Sequence, residues 1–178
     1  MVKKTEDKVT GWLSYTYSRS FITMNSNFDA EKINFGNPYP SNYDRPHSLN
    51  LVSNLRISRR FSLSGNVVYA TGRPITIPVA MYYAQGQQLL LYSNRNEYRI
   101  PDYFRMDLSV NLEGNLKFKK LGHSYWMFNV YNLTGRKNAY SVFYKIEEGE
   151  LRGYKLSVFA QPIVTLSWHV KLGNYSNE

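Results

Sequence analysis

Apolar and polar residues alternate with a period of two along most of this chain, and no other pattern in it constrains the fold as strongly. In residues 103–112, Phe104, Met106, Leu108, Val110 and Leu112 face one way, and Arg105, Asp107, Ser109 and Asn111 the other. Successive side chains on a strand project to opposite faces, so this pattern describes a ribbon with one apolar and one wet side. Residues 161–172 repeat it, with Val164, Leu166, Trp168, Val170 and Leu172 opposed to Thr165, Ser167, His169 and Lys171. In 45–58 the mostly apolar side is His47, Leu49, Leu51, Ser53, Leu55 and Ile57 and the mostly polar side Ser48, Asn50, Val52, Asn54, Arg56 and Ser58; in 61–70, Phe61, Leu63, Val67 and Tyr69 oppose Ser62, Ser64 and Asn66. Residues 11–22 set Leu13, Tyr15, Tyr17 and Phe21 against Ser14, Thr16, Ser18 and Ser20. Residues 124–133 are strand-like with aromatics on both faces, which leaves their orientation open. No segment carries a helical period.

The connections differ sharply in length. Residues 58–60 and 113–123 are short turns, whereas 22–44, 71–101 and 134–160 are long, polar and turn-rich. At about 11 residues each, six strands use about 66 residues, so more than half of the 178 lie in connections. That is heavy for a compact sandwich. Short turns at one end and long loops at the other is the layout of a transmembrane β-barrel. The third long loop has strand character at 139–146 and 154–159 around Gly149, which predicts a hairpin projecting from the rim. No run reaches the roughly 18 apolar residues of a membrane helix, a test that barrel strands escape. Met1-Val-Lys-Lys has the basic start of a secretory signal, but Thr5-Glu-Asp-Lys follows where its apolar core belongs, so no signal peptide is expected.

A soluble β-sandwich alternates too, and composition favours the barrel over it without excluding it. Solvent-facing strands of a soluble sandwich are rich in Lys and Glu, yet the polar faces here are mostly Ser, Thr and Asn, as in an aqueous lumen. Aromatic residues reach 16%, and Trp12, Tyr69, Tyr103 and Tyr125 sit near strand ends, where girdles anchor barrels at the interface. Cysteine is absent, which excludes disulfide scaffolds, thiol catalysis and Cys-ligated zinc.

Few residues suggest chemistry. His47, His123 and His169 lack ligand spacing, no segment places a Ser–His pair, and neither an enzyme nor a cofactor is expected. Arg105 and Asp107, two apart on one strand, both point to the wet side; they read as a salt-bridge ladder or as a contact along a solute path. Gly72-Arg73-Pro74 reads as a strand-ending turn. Tyr39, Tyr43, Tyr82, Tyr83 and Tyr92 lie in the long loops among Asn and Gln residues, a mixture that suits sugar or peptide capture by stacking and hydrogen bonding. The candidate ligand contacts are Tyr39, Tyr43, Arg73, Tyr82, Tyr83 and Arg99 in the loops, with Arg105 and Asp107 in the lumen. The formal charge of +9 comes from residues at both strand ends. Arg45, Arg73, Arg95, Arg99, Arg136, Lys137, Arg152 and Lys155 suit outer-leaflet phosphates, and Arg59, Arg60, Lys117, Lys119 and Lys120 fall at the short turns. Nucleic acid would want the charges interleaved with exposed aromatics on one face, and is not expected.

Five phrases carry a resemblance. Gly11-Trp-Leu-Ser-Tyr-Thr-Tyr-Ser-Arg-Ser, Tyr43-Asp-Arg-Pro-His-Ser-Leu-Asn-Leu with Tyr69-Ala-Thr-Gly-Arg-Pro, Arg99-Ile-Pro-Asp-Tyr-Phe-Arg-Met-Asp-Leu-Ser, Phe128-Asn-Val-Tyr-Asn-Leu-Thr-Gly-Arg-Lys-Asn, and the closing 162–172 follow one another as in the late barrel strands of TonB-dependent outer-membrane receptors. The chain resembles the nutrient-uptake members, of the starch-utilisation-like or carboxypeptidase-regulatory-domain type. The resemblance implies about the last six strands of a 22-stranded, plugged barrel, running alternately outward and inward, with the long loops outside the cell. It implies capture of a scarce nutrient by the loops and release through the plug, driven by the inner-membrane TonB complex. The implied partners are outer-membrane lipid and lipopolysaccharide, the remaining strands and plug, the TonB complex through the N-terminal part, and a surface lipoprotein. Trp168, Val170 and Leu172 match the terminal barrel-assembly signal, with Leu172 where the family commonly has an aromatic. No plug or energy-coupling box is present in these residues, so Met1 reads as an internal start or a gene boundary. The alternative left open is a small autonomous barrel, reaching eight strands if the loop hairpin joins the wall, or a soluble β-sandwich that binds a ligand.

Overall fold

The computed structural model describes residues 1–114 and 122–173. The chain opens with β1 (Val2–Lys4) and β2 (Val9–Tyr17). Two ladder segments, β3 (Phe21–Ile22) and β4 (Tyr39–Pro40), lead into β5 (His47–Arg56) and β6 (Phe61–Ala70). The next connection holds β7 (Pro74–Ile75), the hairpin β8 (Pro78–Ala84) and β9 (Gln87–Tyr92), and β10 (Tyr98–Arg99). Then come β11 (Tyr103–Glu113), β12 (Gly122–Tyr131), the hairpin β13 (Ala139–Glu147) and β14 (Glu150–Ser157), and β15 (Ile163–Leu172). The protein is all-β. Seven strands form one antiparallel sheet in the order β1-β2-β5-β6-β11-β12-β15, an up-and-down meander.

The register explains why these residues pair. Leu55, Leu63, Val110, Phe128 and Leu166 stand side by side across the sheet, as do Leu51, Val67 and Met106. On the opposite face the row is Thr10, Asn54, Ser64, Ser109, Asn129 and Thr165. Ser109 Oγ donates to Asn129 Oδ1 at 2.5 Å, so the polar row is knit by its own side chains. A slip of one residue in any strand would interchange these rows, which fixes the register. Pairing also settles the orientation of β12: Trp126, Phe128 and Val130 oppose Trp168, Leu166 and Val164, and belong to the apolar face.

That face is uncovered. Leu166 and Trp168 are 66% and 61% exposed, and Leu51, Leu112, Trp126 and Phe128 on inner strands are also exposed. The chain's accessible surface is 12891 Å², against about 9,000 Å² for a compact monomer of this mass. Among the described residues no second sheet packs on the first; the other four sheets are two-stranded ladders at the long-loop end. Among the described residues the β13–β14 hairpin pairs only with itself, so it does not extend the seven-stranded sheet.

Several expectations need adjustment. Of the four aromatics read as a girdle, the register puts only Tyr69 on the apolar face; Trp12, Tyr103 and Tyr125 align with Val52, Ala70 and His169 on the polar one. The apolar face has its own aromatics at both ends, Tyr15, Tyr17, Tyr69 and Phe104 toward the long loops and Phe61, Trp126 and Trp168 toward the short turns. The first strand, expected over 11–22, stops at Tyr17 because Pro46, opposite Ser18, has no N–H to return. Phe21–Ile22 then pair with Tyr39–Pro40 instead. The loop 71–101 contains the β8–β9 hairpin, turned at Gln85-Gly86 with positive φ at both residues, as a two-residue hairpin turn requires. The same geometry at Glu148-Gly149 starts β14 at Glu150, ahead of the expected 154. The turn 113–123, with Lys117, Lys119 and Lys120, lies mostly outside the described residues, as does 174–178.

Candidate functional site

The buried side chains gather where the strands meet the long loops, and polar ones are as numerous among them as apolar ones. Asp44 and Asn132 are each 1% exposed, and Ser41, Asn96, Tyr39, Ala70 and Ile100 are also buried. Asp44 sits just before Arg45-Pro46, where the chain turns down into β5. Its Oδ1 accepts the Ser20 N–H at 2.8 Å and Arg19 Nε–H at 3.3 Å, and its Oδ2 accepts a hydrogen bond from Arg99 Nη2. The same Arg99 donates to the carbonyls of Asp44 and Gly72 at 2.8 and 2.9 Å. One guanidinium therefore joins the first two long loops. Burial pushes the Asp44 carboxyl up, but the Ser20 amide, Arg99 and Arg19 together outweigh it and hold the group below its ordinary value.

A second carboxylate closes β6. Asp102 accepts the Gly72 N–H at 2.9 Å and the Tyr69 hydroxyl at 2.7 Å. The Gly72 amide first and the Tyr69 hydroxyl second keep its carboxyl low, against the opposing effect of burial. Gly72 is required: a Cβ there would lie 1.7 Å from the Ile100 carbonyl oxygen. Asparagines bind the third loop. Asn132, at φ 53°, donates from Nδ2 to the Arg136 and Phe159 carbonyls, and Asn138 exchanges two bonds with the Phe104 backbone. Asn96 Nδ2 reaches Pro40 O and Asn42 Oδ1, both at 2.8 Å.

This frame holds open a cleft of about 770 Å³ over the polar face of the sheet. Its floor is Ser48, Val68, Tyr103 and Tyr131; its walls include Tyr43, Arg45, Arg73, Tyr140 and Phe159 from the loops. Arg105 fixes the floor tyrosines. It donates to the hydroxyls of Tyr103 and Tyr131 at 3.2 and 2.9 Å, lies 4.5 Å above the Tyr131 ring, and pairs with Asp107 Oδ2 at 3.0 Å. Asp107 in turn accepts the Asn132 N–H at 3.0 Å and Asn66 Nδ2 at 3.1 Å.

The expected contact residues thus divide. Tyr43 and Arg73 line the cleft. Arg105 and Asp107 do project to the same side, and they organise the floor beneath it. Arg99 is engaged with Asp44, Tyr39 is buried in the β3–β4 pairing, and Tyr82 and Tyr83 stand exposed on the β8–β9 hairpin away from the lining residues. Trp168, Val170 and Leu172 project from the free edge strand, with Trp168 stacked on Trp126 at 5.7 Å. His47 accepts from or donates to the Tyr15 hydroxyl at 2.8 Å at the start of β5, and His169 stacks on Tyr125 at 4.6 Å. Among the described residues no group of three His, Cys, Asp or Glu could hold a metal. Sequence reasoning missed Asp44, Asp102, Asn96, Asn132 and Asn138. The one available signal was their position beside a proline or a strand end, where side chains replace ladder bonds.

Comparison with protein-family models, curated proteins and solved structures gives no match.

Proposed function

We propose that this chain forms part of the wall and the ligand-capturing mouth of a TonB-dependent outer-membrane receptor for nutrient uptake. The observation that carries the reading is the uncovered apolar face, continuous across the long strands and opposed to a hydroxyl- and amide-rich face. A sandwich would bury that face under a second sheet; a bilayer covers it with hydrocarbon. The dimensions agree. Ten residues of β6 extend about 33 Å and, tilted by about 40°, span the roughly 25 Å apolar band of an outer-membrane barrel. The middle of the face is mostly aliphatic, with Phe128 in one row and Gly11, Ser53 and Gly65 in the next, and aromatic residues gather at its two ends, as interfacial anchoring requires.

Among the described residues no strand pairs with the outer edge of β15, and hydrocarbon does not tolerate a row of unpaired backbone donors and acceptors. Further strands of the same receptor complete the wall, and a plug fills the lumen against the polar face. The cleft at the loop end then receives the solute, and plug displacement by the TonB complex admits it.

The absence of cysteine makes the test direct. Single Leu108→Cys, Leu166→Cys, Asn54→Cys and Thr165→Cys variants of the whole chain, reconstituted in vesicles, are labelled with an environment-sensitive fluorophore. Labels at 108 and 166 are expected to be quenched by lipid-borne nitroxides, and those at 54 and 165 by aqueous iodide. A chain that is monomeric and cooperatively folded without detergent, with no lipid quenching at 108 or 166, overturns the proposal.

A further inference from the structure

We infer that the loop-end cleft selects an anionic ligand that carries a flat ring, the charge being a carboxylate or a phosphate. This rests on the receptor reading for the ligand's destination, and on the cleft alone for its chemistry.

The lining includes Arg45 and Arg73 and no Asp or Glu. The carboxylates nearby are already engaged. Asp44 is enclosed by Ser20, Arg19 and Arg99, and Asp102 by Gly72 and Tyr69. At the floor, Asp107 balances Arg105. The surplus charge of the cleft is therefore positive and comes from the two wall arginines.

Their donors are available. Arg45 makes no hydrogen bond, ion pair or ring contact among the described residues. Arg73 uses one terminal nitrogen on the Tyr140 carbonyl at 3.0 Å, which holds the guanidinium in the cleft wall without neutralising it. A guanidinium presents its N–H groups as a planar fork that matches carboxylate and phosphate oxygens. A cationic ligand would meet two like charges and no partner.

The aromatic walls supply the second half of the specificity. Tyr43 and Tyr140 are 89% and 68% exposed, with no ring stacked on either among the described residues. Phe159 is held edge-on to Tyr131 at 6.0 Å, which presents a fixed apolar surface beside them. Exposed aromatic faces around a charged fork favour a ligand whose ring can stack while its anionic group is held. A cleft of about 770 Å³ lies within the usual range for small-molecule sites.

The test uses the whole chain in neutral detergent micelles and two fluorescent probes of one ring system, 4-methylumbelliferyl phosphate and the uncharged 4-methylumbelliferyl β-glucoside. The phosphate is expected to bind about tenfold more tightly, and Arg45→Gln to remove most of that preference. Arg45→Glu should abolish phosphate binding, while Arg59→Gln at the other end of the sheet leaves it unchanged. Competition by an anionic phospholipid added to the micelles would identify a lipid headgroup as the source of the charge; its absence would identify a soluble solute. Equal affinity for both probes, or phosphate binding unaffected by Arg45→Glu, overturns the inference. The lipid-quenching experiment is independent: a chain that fails it yet discriminates the probes loses the receptor reading and keeps the anionic cleft.

Discussion

The strand wall and the loop end of this molecule hold together by opposite means. The wall is ladder hydrogen bonding with hardly a buried side chain, and its apolar face is left to whatever surrounds it. The loop end holds most of the buried side chains, and the most deeply enclosed are Asp44 and Asn132. A wall of this kind is only as stable as its medium allows, because the transfer of apolar side chains out of water is completed by the surroundings rather than by the protein. The loop end closes on itself through bonds between residues far apart in the chain, such as Arg99 to Asp44 across 55 positions. On the proposed reading, the loops keep one arrangement in water while the strands beneath them sit in hydrocarbon.

The sharpest way to break that comparison is to put a charge on each face of one strand. Leu108→Arg, near the middle of the apolar face, is expected to destabilise the vesicle-inserted chain by about 2–4 kcal/mol. Ser109→Arg, one residue on and facing the polar side, should cost less than about 1 kcal/mol. Urea unfolding in vesicles, followed by tryptophan fluorescence, measures both. Equal penalties would mean that the two faces meet the same environment, and the distinction between wall and loop end would fail.

Asp44→Asn addresses the loop end. The substitution keeps the shape and the acceptor for Ser20 N–H, but turns an amide N–H₂ toward donors of Arg99 or Arg19. A cost of about 2 kcal/mol is expected, less than for a fully enclosed pair because both arginines retain contact with solvent. Hydrogen exchange should report it as loss of protection at Ser20, Ser41 and Ile100, with the amides of β6 and β11 unchanged. The wild-type chain should show the same loosening with acid. The carboxyls of Asp44 and Asp102 are lowered in the folded state from 3.8, so their contribution is complete above that value. It is lost as pH falls through it toward their depressed folded values. Loop protection that persists in Asp44→Asn would show that the arginine clamp is not what fixes the loops.

The two regions were also unequally legible. The wall could be read because its information is local: Phe104 to Leu112 declare their faces by spacing alone, and β6 begins and ends where alternation begins and ends. Where both phases carried aromatics, as in Tyr125 to Tyr131, spacing was silent and only pairing with β15 resolved it. Trp12 shows the converse error, an aromatic near a strand end assigned to an anchoring girdle although its phase puts it beside Val52. The loop frame was hidden because a carboxylate such as Asp44 carries no mark of a partner many positions later. Arg99 was noticed as a charge, yet whether it meets a ligand or a neighbouring loop depends on the fold. The β8–β9 hairpin escaped because Gln85-Gly86 is a weaker turn signal than Asn-Gly or Asp-Gly.

The smallest effect expected sits at the far end of the loop hairpin β13–β14, around its turn and away from the Tyr140 that lines the cleft. Arg152 faces Glu147, Glu148 and Glu150 at 3.8, 3.7 and 3.6 Å, all with substantial solvent exposure. Exposed pairs at such distances are screened, and their attraction is offset by the entropy of holding long side chains. Arg152→Ala should therefore change the stability of the hairpin by less than about 0.5 kcal/mol, detectable as a slight rise in exchange at its own amides and nowhere else. The hairpin's order then comes from the Glu148-Gly149 turn and from cross-strand pairs such as Phe143 stacked on Tyr154 at 5.6 Å. If Arg152→Ala instead loosened Arg73, which donates to the Tyr140 carbonyl, the frame that shapes the cleft would extend along the whole hairpin to its turn, and not only to its first residues.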